Sequence, residues 1–403
     1  MAALAAAPQG TTDSAWAPLA HYLEQSVARR AFPGAVVAVG RRDTVLYLHA
    51  FGHLTYGGTG GPRDGGTGGP GDGGAGVPRD GGTERVTERT VYDIASLTKV
   101  VGLTTAVMLL VEERRIALDA PVTRYVPDFT AGGDSITVRM LLTHESGLPA
   151  WKPFFQTARS REDVFAAVLR EPLERQPHTQ MVYSDLGAII LTRMVENVTG
   201  GRIDRFLERR LFRPLGMRET RYRPPKSWVP RIAPTEMDTT WRHRLVRGEV
   251  HDENAAAMGG ISGHAGLFST APDLVRFAQM MLRDATPGDS PAGARSGQPA
   301  RGMPPRLLDA ALLKMWTRAQ DHAFSSRALG WDTPSEGSSA GTKLGARAYG
   351  HTGFTGTSMW IDPAQDLFIV LLTNRVHPTR ENPQILDVRR AVADLAAEIA
   401  GGP

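Results

Sequence analysis

The stretch Val91-Tyr92-Asp93-Ile94-Ala95-Ser96-Leu97-Thr98-Lys99-Val100 carries an ordered apolar segment, 86–94, into a helix expected from about Ser96 to about Arg115. The i, i+3 spacing puts Lys99 one turn on from Ser96, on the same face and within reach of its hydroxyl. The first turn of a helix also offers free N–H groups and partial positive charge. Both favour an alkoxide and the oxyanion that follows its attack. For Lys99 to take the hydroxyl proton its ammonium must first lose one, so burial or a nearby cation has to lower its pKa. Taken alone, Ser-x-x-Lys also suits an ordinary surface helix capped by serine.

Two further groups change that balance. Tyr183-Ser184-Asp185 lies between apolar Met181-Val182 and the helical run 186–195. A phenol there can pass the nucleophile's proton to a leaving group if positive charge lies nearby. His351-Thr352-Gly353 opens what reads as an edge strand, where a glycine lets a substrate backbone approach. The next N–H, that of Phe354, is then placed to pair with the Ser96 N–H as an oxyanion hole.

Outward from these groups the chain reads as helix and hairpin at both ends with helices between. Residues 14–31 suit an amphipathic helix, and 35–40 and 45–52 a β-hairpin. The segments 138–143, 161–169, 185–199 and 203–211 are helical in period. A second hairpin is expected from 358–362 and 367–373, then a last helix over 385–399. The fold class is α+β: an antiparallel sheet built from both ends of the chain and flanked by helices, with a mostly helical lobe inserted. At 403 residues two lobes are expected. We place one at 1–115 with 226–403 and the helical one at 116–225. Residues 57–83 hold 14 glycines and the near-repeat PRDGGTGG, PGDGGAGV, PRDGGTER, which cannot bury enough surface to offset its ordering entropy. It reads as a flexible insertion, either a neutral loop expansion or a flap that gates bulky substrates. A second flexible loop is expected over 285–305.

The three motifs, in this order and at these separations, resemble the signatures of class C β-lactamases and their relatives. Those relatives include low-molecular-weight penicillin-binding proteins, family VIII carboxylesterases and D-aminopeptidases. Leu141-Leu142-Thr143-His144-Glu145-Ser146-Gly147-Leu148-Pro149, Pro214-Leu215-Gly216-Met217 and the GLFSTAPDLVRF run at 266–277 match as well. The resemblance implies a β-lactamase/transpeptidase-like fold with the site in a cleft, acylation of Ser96, and release of the acyl group by water. Two departures bear on substrate. Asp185 stands where the lactamases usually carry Asn, and His351 where they carry Lys. Ionised Asp only accepts hydrogen bonds, and a neutral His lacks the permanent cation suited to a β-lactam carboxylate. Both favour a small ester or amide over a β-lactam, as in the esterases and D-aminopeptidases. The segments HDENA at 251–255, GGISGHAG at 259–266 and NRVHPTREN at 374–382 look like a branch containing an amidase that cleaves N-acetylmuramyl-L-alanine. There His264, Arg375 and His377 would donate to a lactyl or peptide carboxylate, unless the histidines merely brace loops.

Composition narrows the field further. With no cysteine, thiolate nucleophiles, disulfides and Cys-ligated zinc are excluded. The positions 251–253 follow one another too closely to converge on a metal ion, and no metal or cofactor is expected. Net charge is +4 and the basic residues are scattered among acidic ones, so nucleic acid is not an expected partner. No apolar run is long enough for a membrane span. Residues 1–10 lack the features of a secretory signal, so the chain as it stands reads as cytoplasmic, or as periplasmic or secreted if a leader was removed. Nothing in the pattern sets an oligomeric state. A GxSxG match at 337–341 has no strand before it or helix after it, and a GxGxxG match at 66–71 lies inside the low-complexity insertion. The reading is a serine hydrolase acting through an acyl-enzyme on small esters or amides. Its alternatives are the muramyl amidase or a D-amino-acid peptidase, a β-lactamase, and a non-catalytic binding protein on the same fold.

Overall fold

Strand β1, Gly34–Gly40, has the sequence GAVVAVG and no polar side chain to turn toward water, so both of its faces must be covered. The computed structural model, which describes residues 12–56, 84–285, 306–320, 323 and 325–401, covers them with two layers of helices. The insertion at 57–83 and residues 286–305 of the second loop lie outside the described residues.

β1 pairs with β2 (Val45–Gly52) on one side. On the other it pairs with the last of three late strands, β3 (Tyr349–Thr352), β4 (Ser358–Asp362) and β5 (Leu367–Thr373). The sheet order is β2-β1-β5-β4-β3 and every pairing is antiparallel. Ala35 stands opposite Thr373 and Gly40 opposite Phe368, so the first hairpin and the end of the chain share the centre of the sheet. Side chains alternate between two cores. Ala35, Val37, Val39, Ile369 and Leu371 meet Leu19 and Leu23 of the helix Ala17–Ala28 and Val388, Val392 and Ala396 of the helix Ile385–Gly401. Val36, Ala38, Val370 and Leu372 belong to the other core, with Leu274, Phe277 and Met281 of the helix Ala271–Asp284.

That second core continues without a break into the segment 116–225. Leu141, Phe165, Ile189 and Leu207 join the same cluster through Val107 and Leu110. The helices there are Val138–Leu142, Arg161–Arg170, Asp185–Thr199 and Ile203–Leu207. Asp185–Thr199 begins where the Ser184 hydroxyl accepts the Gly187 N–H at 3.3 Å, and it stops at Gly200, whose φ of 69° is left-handed.

The helix expected from Ser96 differs in two respects. After α-helical Leu97 and Thr98 it widens to a π-helix over Lys99–Thr104 and is α-helical again over Thr105–Glu112. It also ends short of Arg115, because Arg114 takes a left-handed φ of 58° and turns the chain. No helix among the described residues is long and apolar enough to cross a membrane.

Candidate active site

The short strand Tyr92–Asp93 pairs with Leu267–Ser269, which also pairs with Arg221–Tyr222. From this small sheet the chain enters a tight turn at Ala95, whose φ of 45° is unusual for a residue with a side chain. The buried Asp93 carboxylate holds the turn, accepting the Ala95 N–H at 2.8 Å and the His251 N–H at 2.7 Å. Half-buried Ser96 follows at the start of the helix.

Lys99 is 3% exposed and its ammonium is fully engaged. Nζ donates to the Ser96 Oγ at 3.0 Å and to the His264 carbonyl at 2.9 Å, and lies 2.6 Å from Asp185 Oδ1. Burial pushes this ammonium down, but Asp185 and the nearby Tyr183 oxygen outweigh it and leave its pKa above the ordinary lysine value. The sequence asked for a lysine with a lowered pKa. The structure corrects that: the resting Lys99 is a cation paired with a carboxylate.

Tyr183 stands at the meeting point of charges. Lys99 Nζ lies 5.0 Å from its ring centroid and the Arg327 guanidinium 5.3 Å. His144 and His351 flank it, at centroid distances of 4.6 and 5.7 Å. His144 Nδ1 accepts the Ser184 N–H at 3.1 Å, and His351 Nδ1 pairs with the Thr352 carbonyl at 2.7 Å. Burial first, then the charges of Arg327 and Lys99, hold both imidazoles well below the usual histidine pKa. Both are therefore neutral at neutral pH. The Tyr183 hydroxyl, His351 Nε2 and Arg327 Nη1 are buried without a hydrogen-bond partner among the described residues, while Arg327 Nε lies 3.7 Å from Asp332 Oδ1 in an ion pair. Orphaned polar groups gathered at one place are what a site awaiting a ligand presents.

The edge strand β3 brings in the other wall. Among the described residues neither the Ser96 nor the Phe354 N–H has a hydrogen-bond acceptor, so both can serve an oxyanion. Thr355 Oγ1 donates to the Asp93 carbonyl at 2.8 Å and Thr357 Oγ1 to that of Ile94 at 3.1 Å, tying the strand's turn to the turn before Ser96. Packing gives Gly353 a reason of its own to lack a side chain. A Cβ there would lie 2.2 Å from Thr357 Oγ1 and 2.5 Å from the Ile94 carbonyl. Its lack of a side chain lets the two turns meet.

Three expected carboxylate donors are engaged within the protein. His264 is 1% exposed, with Nε2 on Asp252 at 2.8 Å and Nδ1 on the Ser262 hydroxyl at 2.7 Å. Its ring braces the loop whose carbonyl holds Lys99. Arg375 donates from Nε to the Phe354 carbonyl at 2.9 Å and from Nη1 to those of Arg380 and Asn382. Likewise His377 Nδ1 pairs with the Thr235 carbonyl at 3.0 Å. Their donors are taken by the protein itself. Arg327 is the cation that sequence reasoning missed; Ser325-Ser326-Arg327-Ala328 has no motif, and only packing brings it to Tyr183. His144 was visible in a familiar stretch but without a role.

The Beta-lactamase family profile matches residues 19–394. A putative D-alanyl-D-alanine carboxypeptidase of Escherichia coli K12 is 32% identical over 332 residues, covering 74% of this chain and 72% of the relative. Its counterpart in Salmonella agona is 32% identical over 331 residues, with the same coverages. Among solved structures, EstCE1, a hydrolase with promiscuous acyltransferase activity, superposes with a TM-score of 0.68 at 20% identity, covering 94% of this chain and 99% of its own. A penicillin-binding protein homologue from Caulobacter crescentus gives 0.68 at 18% identity, covering 98% and 99%.

Proposed function

Because the chain belongs to the Beta-lactamase family of serine hydrolases, we propose that it cleaves small esters and amides through an acyl-enzyme on Ser96. The observation that carries this reading is the single ammonium, Lys99 Nζ, bonded at once to the Ser96 hydroxyl and to Asp185. As Ser96 Oγ attacks the carbonyl, its proton moves to Lys99 Nζ while a Lys99 proton shifts to Asp185 Oδ1. The cation is thus a relay and the carboxylate the acceptor. The Ser96 and Phe354 N–H groups take the oxyanion. Tyr183 protonates the leaving group and regains a proton from the Lys99–Asp185 pair. Water then repeats the sequence on the acyl-enzyme. We place this chemistry in a cleft between the sheet lobe and the helical segment 116–225.

A second reading, a peptidase for substrates ending in a carboxylate, is favoured by Arg327. His351 is neutral, yet Arg327, ion-paired at Nε with Asp332 at 3.7 Å, returns a cation to the same wall, and its Nη1 makes no hydrogen bond within the described residues. An arginine fork suits a carboxylate. The curated relatives named as putative D-alanyl-D-alanine carboxypeptidases fit this reading. A muramyl amidase loses support, since the donors proposed for its substrate face inward.

The test is a substrate comparison with Ser96→Ala as control: p-nitrophenyl acetate, a peptide ending in D-Ala-D-Ala, the same peptide amidated at its C-terminus, N-acetylmuramyl-L-alanine and nitrocefin. Ready turnover of the ester, little of nitrocefin, and a loss of at least about a thousandfold in Ser96→Ala are expected. Preference for the free-acid peptide over its amide supports the second reading. Absence of all turnover, with no fluorophosphonate adduct on Ser96, leaves only the binding-protein alternative.

A further inference from the structure

The Phe354 N–H belongs to the same peptide unit as the Gly353 carbonyl, and that carbonyl is held by a buried cation. Arg389, on the C-terminal helix Ile385–Gly401, is 9% exposed. Its Nη2 donates to the Gly353 carbonyl at 2.6 Å and to the Thr357 carbonyl at 2.9 Å. No carboxylate among the described residues pairs with it, and its Nε is buried without a partner. Burial, and then the like charge of Arg375, push its pKa down. Each of these features makes the charge costly to keep where it is. The Gly353 carbonyl does not need it for satisfaction, because the Gly356 N–H already donates there at 3.0 Å.

We propose that Arg389 is a positioning residue that strengthens the oxyanion hole by polarising the Gly353–Phe354 peptide. A cation on the carbonyl oxygen draws electron density along the amide, leaving the N–H end more positive and a better donor. Hydrogen bonds in series reinforce one another in this way, more so at low dielectric. The benefit appears only as negative charge develops on the substrate oxygen, which is the condition for raising kcat rather than tightening ground-state binding. Arg375 on the Phe354 carbonyl acts on the following peptide and fixes the turn instead.

The inference rests on the hydrolase reading, and the experiment separates the two. Arg389→Met removes charge and donor at similar length; Arg389→Gln keeps a neutral donor. For each, kcat and KM are measured on p-nitrophenyl benzoate, together with the infrared band of the 13C-labelled acyl carbonyl on Ser96. In Arg389→Met, kcat is expected to fall about tenfold to a hundredfold, short of the loss from deleting an oxyanion donor outright. KM stays within about twofold and the acyl band moves to higher frequency, as a weaker hydrogen bond requires. Arg389→Gln falls between, and it decides the matter if the Met variant does not melt cooperatively. A folded variant with kcat within about twofold of the unaltered chain and an unmoved band overturns the inference alone. No turnover and no acyl band in the unaltered chain overturns the hydrolase reading and this inference with it.

Discussion

Asp185 governs the charge on Lys99, and in the proposed mechanism the order of proton transfers. Its carboxylate lies 2.6 Å from Nζ and with Tyr183 offsets the burial that would otherwise drive the ammonium to give up its proton. Asp185→Asn should therefore lower the Lys99 pKa, since desolvation then dominates. The limb of the kcat/KM profile that reports Lys99 is expected to move to lower pH by about one unit or more. Loss of the proton acceptor should also cut kcat at neutral pH by about a hundredfold. A profile with its limb in place would show that Asp185 does not hold the relay. At this scale the sequence was informative where chemistry is written into spacing: Ser96, Lys99, Tyr183, Asp185 and His351 do come together. It was silent on Arg327 and Arg389, which look like any other arginine until packing buries them beside Tyr183 and Gly353. For His264 and Arg375 it left more than one role open, because the partners that occupy them come from other segments or from main-chain carbonyls; the contacts of His264 fit the loop-bracing role.

Between elements, the decisive contact joins the turn after β3 to the turn before the Ser96 helix. Gly353→Ala would set a Cβ against the Ile94 carbonyl at 2.5 Å, a backbone atom that can yield only by moving the nucleophile turn. The expected cost is about 1–3 kcal/mol of stability. A fall in kcat should accompany it, because the same shift displaces the Phe354 N–H from Ser96. Gly201→Ala, where no atom lies within 4 Å of the added carbon, serves as control and should change neither melting nor turnover. Equal behaviour of the two variants would mean that the turns are not in register through Gly353. Both hairpins were legible because β1 and β5 are long runs of apolar residues and β4 has an apolar centre, Met359-Trp360-Ile361, each bounded by turn residues. The π-helical stretch near the start of the Ser96 helix was not. It is a local widening of a sequence that reads as ordinary helix, made where Gly102 packs closely on Leu207 and Leu267.

Over the whole molecule, one core carries the sheet face, the nucleophile helix and the helices of 116–225, so a charge buried at the site is felt as stability. That both chain ends meet in the sheet was legible from the order of hairpins. That the sheet face and the helices of 116–225 share a continuous core was not, since apolar periodicity shows which faces are buried but not which neighbours they meet. His351 gives the measurable consequence. Burial, Arg327, Lys99 and Arg389 hold it neutral in the folded chain, with Tyr183 against its ring. In the unfolded chain it titrates near the ordinary value of about 6.5. Between its folded value and about 6.5 the unfolded state binds a proton that the native state refuses, so stability is lost as pH falls. Asp273 and Asp284 work in the opposite sense. Burial raises each to about 6, so the native state keeps a proton that the unfolded state has released, and stability falls as pH rises toward 6. The raw stability–pH curve therefore mixes the two, and the informative quantity is the unaltered chain minus His351→Gln, in which the aspartates cancel. Measured by urea midpoints from pH 4.5 to 8, that difference should rise with pH by up to about 1.4 kcal/mol per unit and level off above about 6.5. His144, held neutral by burial and the same two cations, should give the same curve in His144→Gln. A flat difference for His351→Gln would mean that its ring charges freely in the folded state, and that the wall facing Tyr183 carries a second cation below pH 6.5.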